Sequence, residues 1–495
     1  MGSGLLVLTA KGKQNLYLNV NPNITFFKMA YRRHTNFSSE IIPQYFKTTP
    51  NFGNKVTVSI SKNADLMSQI YLYVKLPSIT KFYHSILPDN IKKFRWVEKI
   101  GWALIKTIDI ELGGVLIDRH YGDWLNIWDE LTRNSFHLNG INKMIGNQKE
   151  LFSPTNGKDS FSLYIPLNFW FCQNIGLALP LIALIHNDIK IHVEFNSFSK
   201  CYIEEPTHYI NVDQNFSLFK FNEEIYQNIN GTIARGRFIY FDTFTKRLYY
   251  EKWINNFLHP TLITQKNKYI IQGNTTNFKV TPILNDSIKK DDNYFNNNYP
   301  SIIESYILIN YIYLDNPERI RFLNSNHEYL INTLQIVPET IIYSNNSSIK
   351  LKFVHPCKQL IWRLQMDYNY KKNDLFNYSI NPDISKNEII LSEIININGK
   401  NRNDIDFYKY YQLIQNYKYS NNSPSIGIHS YSFSIYPYKY QPSGTFNFSK
   451  IDDSTLILNL DRKISYQNFV RIKIYAINYN LLRIDNGLGG LVFSR

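Results

Sequence analysis

Cysteine is nearly absent: Cys172, Cys201 and Cys357 are the only three in 495 residues, odd in number and far apart. No disulfide framework or C-x-x-C site can be drawn from them, and a reducing compartment is expected. Long apolar runs are missing too. The stretch Ile175 to Ile185 is apolar but short and contains Pro180, so no bilayer-spanning segment is expected. The first residues lack a charged region followed by an apolar core and a small-residue cleavage site, so no secretory signal is expected. Without that route the Asn-x-Ser/Thr triplets at Asn23, Asn36, Asn215, Asn230, Asn274 and Asn447 read as by-products of an Asn-rich composition.

Catalytic signatures are also lacking. There is no H-E-x-x-H, G-x-S-x-G, P-loop or dinucleotide fingerprint. His327-Glu328 begins like a zinc helix, but Ile331 stands where the second His is needed, so His327 reads as structural. The Gly487 to Gly490 cluster has no following Lys-Ser/Thr and reads as a tightly turning cap on a terminal strand. No enzyme activity, cofactor or metal is expected.

What is present is aromatic: 37 Tyr and 32 Phe. Such side chains suit pleated, half-buried surfaces, and the composition leans toward sheet. Val56, Val58 and Ile60 alternate with polar residues, as do Ile70, Leu72, Val74 and Leu76 before Pro77. Ile105 to Leu112 repeats the pattern, and Gly113-Gly114 supplies a tight turn into Val115-Leu116-Ile117. Ile189 to Phe195 alternates again. Further strand signals cover Tyr306 to Leu314, Ile349 to Val354, Leu360 to Met366, Ser430 to Tyr436, Thr455 to Leu460 and Val470 to Ala476. One helix is expected after Asp123 as its cap, with Trp124, Trp128 and Leu131 on one face.

Residues 1–20 read as an arm. In the stretch that follows, Phe27, Met29 and Tyr31 alternate with Lys28 and Arg32, which predicts a half-buried strand with a charged outer face. Between about 200 and 300 strands are hard to place, and Asn285 to Asn298 has a turn-like composition. This region is expected to be an elaborated loop that joins or decorates two domains. Asn runs at Asn296-Asn297-Asn298, Asn345-Asn346 and Asn421-Asn422 read as turns. Many short strands with few helices describe an all-β sandwich or barrel, twice over.

Lys and Arg number 54 against 40 acidic residues, a net charge of +14 at pH 7. No single run is dense enough to name a nucleic-acid groove, and a well-solvated surface is the plainer reading. Arg32-Arg33-His34 has two open uses, contact with phosphates or an acidic partner, and packing across a subunit boundary. Glu318 with Arg319 and Arg321 reads as an ion pair fixing a turn after Pro317. Trp124, Trp128, Phe169, Trp170 and Phe171 read as buried core or intersubunit packing rather than a ligand platform.

Asn21-Pro-Asn-Ile-Thr-Phe-Phe-Lys-Met-Ala-Tyr-Arg-Arg-His-Thr-Asn-Phe37 resembles the N-terminal signature of the major capsid proteins of nucleocytoplasmic large DNA viruses. The resemblance keeps its order along most of the chain. It runs through Phe52-Gly53, Asp65-Leu66 to Leu76-Pro77, and Gly113-Gly114 to Trp124. Pro166 to Cys172 with Gly176 to Ala183 is similar to the family's most recognisable block. It continues in Tyr313-Leu-Asp-Asn-Pro-Glu-Arg319, His327-Glu-Tyr-Leu-Ile331, His355-Pro-Cys-Lys-Gln-Leu-Ile-Trp362 and Gln441 to Asp452. The end, Tyr475 to Ile484 with Gly487 to Gly490, resembles the family's closing block, especially in mimivirus-like members. Phe446 stands where many relatives have Cys, Lys450 replaces the usual Arg, and residues 205–300 match nothing.

The resemblance implies two tandem jelly-roll β-sandwiches (a double jelly roll) with decorated loops and a few short helices. The corresponding division is an arm at 1–20, a first jelly roll at 21–205, a connecting region at 206–300 that could complete it, and a second jelly roll at 301–495. It further implies homotrimeric, pseudo-hexagonal capsomers tiling an icosahedral virion shell over an inner membrane, assembled in the host cytoplasm. Partners would be neighbouring capsomers, minor capsid and penton proteins, with inner-membrane contact and no specific nucleic-acid recognition. Arg32, Arg33, His34, Glu318 and Arg319 are the candidate intersubunit or inner-face contacts. Two other classes compete: a monomeric carbohydrate-binding jelly-roll module, suggested by aromatics, and a nucleic-acid-binding protein, suggested by charge.

Overall fold

The computed structural model describes residues 3–81, 91–284, 289–290, 295, 299–380, 387–403 and 408–493. Two β-sandwiches carry the same strand order. In the first, one sheet runs Phe37–Tyr45, Glu304–Leu314, Leu66–Leu76, Phe161–Pro166. The facing sheet runs Lys55–Ser59, Ile189–Phe195, Ile105–Leu112, Val115–Tyr121. In the second, the sheet His327–Ile342, Val470–Asp485, Pro356–Met366, Ile428–Ser432 faces Asn346–Lys350, Ser454–Leu460, Ile390–Ile397, Lys400–Asn401. Each half thus places its last long strand between its first and third, and every pairing is antiparallel.

The alternation in the sequence explains the layers. Val56, Val58, Ile70, Leu72, Val74, Ile108, Ile110, Ile191 and Val193 point from both sheets into one core. In the second half Leu360, Trp362, Leu364, Leu456, Leu458, Ile472 and Ile474 do the same. Gly113 and Gly114 take φ of +54° and +86°, which lets the hairpin close in two residues. Gly487, at φ +79°, turns the chain from Val470–Asp485 into the short final strand Leu488–Leu491.

Four expectations need correction. The strand at 306–314, read as the start of the second half, pairs with Phe37–Tyr45 and Leu66–Leu76 and completes the first. The region read as elaborated loop contains a seven-stranded sheet centred on Glu224–Ile229, Thr232–Asp242 and Arg247–Ile254. It has its own core of Ile225, Phe238, Leu248, Tyr250 and Phe257. Its polar positions, such as buried Gln227, hide the period; that side chain is spent on Leu258 and Tyr269 backbone groups. Most of Asn285 to Asn298, including the Asn296-Asn297-Asn298 run, lies outside the described residues. The expected strand at Phe27 to Arg32 is not formed: Phe27 is 98% and Met29 95% exposed, and among the described residues no strand pairs with it. Finally, the helix is Gly122–Thr132 with Tyr121 as its N-cap; Asp123 lies in its first turn.

Candidate assembly interface

The helix Gly122–Thr132 belongs to the first half but packs on the second. Its Trp124 ring lies 5.2 Å from that of Tyr475, and Trp124, Trp128 and Leu131 share a cluster with Ile361, Tyr475 and Ile477. Phe169, Trp170 and Phe171 are buried in the first core. The aromatic set is therefore packing, partly between the two halves.

Charges are set into the same boundary. Asp123 Oδ2 accepts from Arg363 Nη2 at 2.8 Å and from Lys473 Nζ at 2.8 Å. Arg471 Nη1 donates to Glu339 at 3.0 Å, and its Nε and Nη2 donate to Asp367 at 2.8 and 2.7 Å. Burial acts to raise the Asp123 pKa, but Lys473 and Arg363 outweigh it and hold the carboxyl well below its usual range. A second network joins the inserted sheet to both halves. Arg237 bridges Glu205 at 2.5 Å and Glu251 at 2.8 Å, and Lys372 of the second half reaches Glu251 at 3.4 Å. Inside the second sandwich, fully buried His429 donates from Nδ1 to Glu393 at 2.6 Å and faces Glu388 at 3.5 Å. Trp362 Nε1 donates to the other Glu393 oxygen at 2.7 Å.

The sequence-predicted contacts fall in two places. Arg32, Arg33 and His34 lie on the exposed arm, where the His34 Nδ1–H donates to the Thr35 carbonyl at 2.7 Å. Glu318 and Arg319 lie on the helix Asn316–Asn324, capped by Asp315, rather than on a bare turn. Arg319 pairs with Asp65 of the first half at 3.0 Å, not with Glu318. The other Asp65 oxygen accepts the Leu314 N–H at 2.8 Å. Among the described residues no hydrogen bond or ion pair joins the 32–34 cluster to Glu318 or Arg319.

His327 sits on a strand, and its ring N–H donates to the Phe322 carbonyl at 2.7 Å. Among the described residues no group of three His, Cys, Asp or Glu is placed to hold a metal ion. The three cysteines are free, and burial raises each thiol, Cys172 to about 12. No helix among the described residues is long and apolar enough to cross a membrane.

Two family models match the chain, "Major capsid protein N-terminus" over residues 25–227 and "Large eukaryotic DNA virus major capsid protein" over 318–490. The chain is 38% identical over 519 residues to "Probable capsid protein 4" of Acanthamoeba polyphaga mimivirus, covering 100% of this chain and 99% of that one. The chain belongs to the major capsid proteins of large eukaryotic DNA viruses. The "Major capsid protein" of Pyramimonas orientalis virus is 32% identical, with 100% of each chain covered. Among solved structures, VP54 of PBCV-1 superposes with a TM-score of 0.64 at 24% identity, over 95% of this chain and 100% of that one. The Faustovirus major capsid protein does so with a TM-score of 0.67 at 12% identity, over 96% and 94%. The fold is the double jelly roll. This major capsid protein is a structural subunit of the shell of an icosahedral large DNA virus, not an enzyme. That role supersedes the glycan-binding and nucleic-acid-binding alternatives.

Proposed function

We propose that three copies of this capsid protein close into one capsomer in which six sandwiches approximate a hexagon. The observation that carries this reading is the repeated strand order of the two halves, each with a four-stranded sheet facing a sheet of five or six strands. Two similar blocks per chain, repeated by a threefold axis, give a six-sided outline while keeping true threefold symmetry. The domain division that suits this role is an arm before Phe37, a first sandwich closed by Glu304–Leu314, an inserted sheet within it, and a second sandwich from His327 onward.

Arg32, Arg33 and His34, extended on an unpaired arm, serve contacts to another subunit or to the inner face. Arg319, tied to Asp65, serves instead to fix the turn out of the first sandwich. Neighbouring capsomers, minor capsid and penton proteins, and an inner membrane are the partners this role calls for, with assembly in the host cytoplasm. Light scattering on the purified chain tests the reading. Three chain masses support it, and a stable monomer at assembly concentrations overturns it.

A further inference from the structure

Lys358 stands in the strand Pro356–Met366 with 1% of its surface exposed. It opens on a cavity of about 110 Å³ where the two halves meet, with Gln173 and Asn174 on the first-half side and Asn332, Tyr438 and Lys439 on the other. The Lys358 ammonium donates one long bond, 3.4 Å, to Asn332 Oδ1 and lies 5.0 Å from the centre of the Tyr479 ring. Among the described residues no carboxylate lines the cavity or lies within ion-pair distance of Lys358.

Two arginines set into the fold are matched by carboxylates, Arg363 by Asp123 and Arg237 by Glu205 and Glu251, and buried Lys158 is held by the Glu150 and Ser153 carbonyls, whereas Lys358 has its one long bond to Asn332. A buried ammonium that lacks both a counter-charge and a set of close carbonyl acceptors gives up its proton or takes an anion from solution. Burial lowers the Lys358 pKa to about 8, so the charged form still predominates at neutral pH. Lys439, exposed beside the cavity, adds a second positive charge. Asn174 spends its amide oxygen on the Gly176 N–H at 2.9 Å, which leaves its amide hydrogens as donors among the described residues. Water occupies about 30 Å³ per molecule, so the space holds a small tetrahedral ion with its remaining hydration.

We propose that this cavity binds a small inorganic oxyanion of the phosphate class, held between the two sandwiches by Lys358. Bound there, the ion supplies the missing counter-charge and links the halves as Asp123 does at the neighbouring boundary. The inference does not depend on how many copies form a capsomer.

Thermal unfolding of the full chain at neutral pH and fixed ionic strength tests it, with sodium phosphate and sodium sulfate compared against chloride. Phosphate and sulfate are expected to raise the midpoint saturably, by about 1–3 °C at ten times the dissociation constant. The gain should shrink as pH rises past about 8, where Lys358 loses its proton. Lys358→Met should abolish the gain and Lys358→Arg should keep it. An equal gain in Lys358→Met would mark a general salt effect and overturn the proposal. If Lys358→Met does not fold, the ³¹P line width of phosphate decides. Broadening by the native chain that sulfate reverses supports the site, and an unbroadened line refutes it.

Discussion

The Asp123 carboxylate lies 2.8 Å from the Arg363 guanidinium, and this bond ties a helix of the first sandwich to a strand of the second. Lys473 takes the same oxygen at 2.8 Å, so one carboxylate answers two cations. If three copies close into one capsomer as proposed, the two halves must hold a fixed angle across this boundary.

Asp123→Asn leaves buried Arg363 without its closest anion. The expected cost is about 3–5 kcal/mol, the usual penalty for orphaning a buried charge. Chemical denaturation of the purified chain measures it. By contrast, the Arg483–Glu328 pair is about half exposed on both sides, at 54% and 52%, and Arg483→Ala should cost under about 1 kcal/mol. Equal costs for the two substitutions would contradict the assignment.

His429 gives a pH test. Burial acts to lower its pKa, but Glu393 and Glu388 outweigh it and raise the value from 6.5 to about 10. A folded pKa above the unfolded one means the contribution is fully present below 6.5 and is lost as pH rises toward 10. The native chain should therefore lose stability across that window more steeply than His429→Asn. Parallel pH profiles for the two proteins would remove the charged His429 from the account.

Asp65 and Arg319 should respond unequally. Asp65 is buried and holds both Arg319 and the Leu314 N–H, whereas Arg319 is largely exposed. Asp65→Ala is expected to lower the thermal midpoint more than Arg319→Ala, because it also strips a backbone donor of its acceptor. The reverse order would mean that the helix Asn316–Asn324 is fixed by other contacts.

The arm separates folding from assembly. Arg32→Ala with Arg33→Ala touches only exposed positions, so the unfolding free energy of the dissociated chain should stay within about 0.5 kcal/mol of native per substitution. Sedimentation should show weaker self-association at the same time. Unchanged association would exclude Arg32 and Arg33 as subunit contacts.

Legibility in the sequence followed the period of the side chains. Strand Ile189–Phe195 alternates cleanly because one face meets the core and the other meets neighbours, and its expected and observed bounds coincide. The Phe27 to Arg32 alternation is equally clear yet forms no strand, since pairing needs a partner and none of the described residues pairs with it. The inserted sheet is marked less clearly: Lys279–Val280 and Ile271–Gly273 are too short to give a period, and the longer Thr232–Asp242 breaks its alternation where its register shifts between Phe238 and Tyr240. The buried charges, at the boundary and inside the second sandwich, had a visible signal. Arg363 interrupts the apolar run Leu360 to Met366, and Glu393 interrupts Ile389 to Ile397; each is a buried charge whose partner comes from another segment.

Electron cryomicroscopy of the purified assembled particle tests the central claim most directly. The account predicts three copies around a true threefold axis, each contributing two sandwiches to a six-lobed outline. Six copies contributing one sandwich each, or a particle without threefold symmetry, would contradict it.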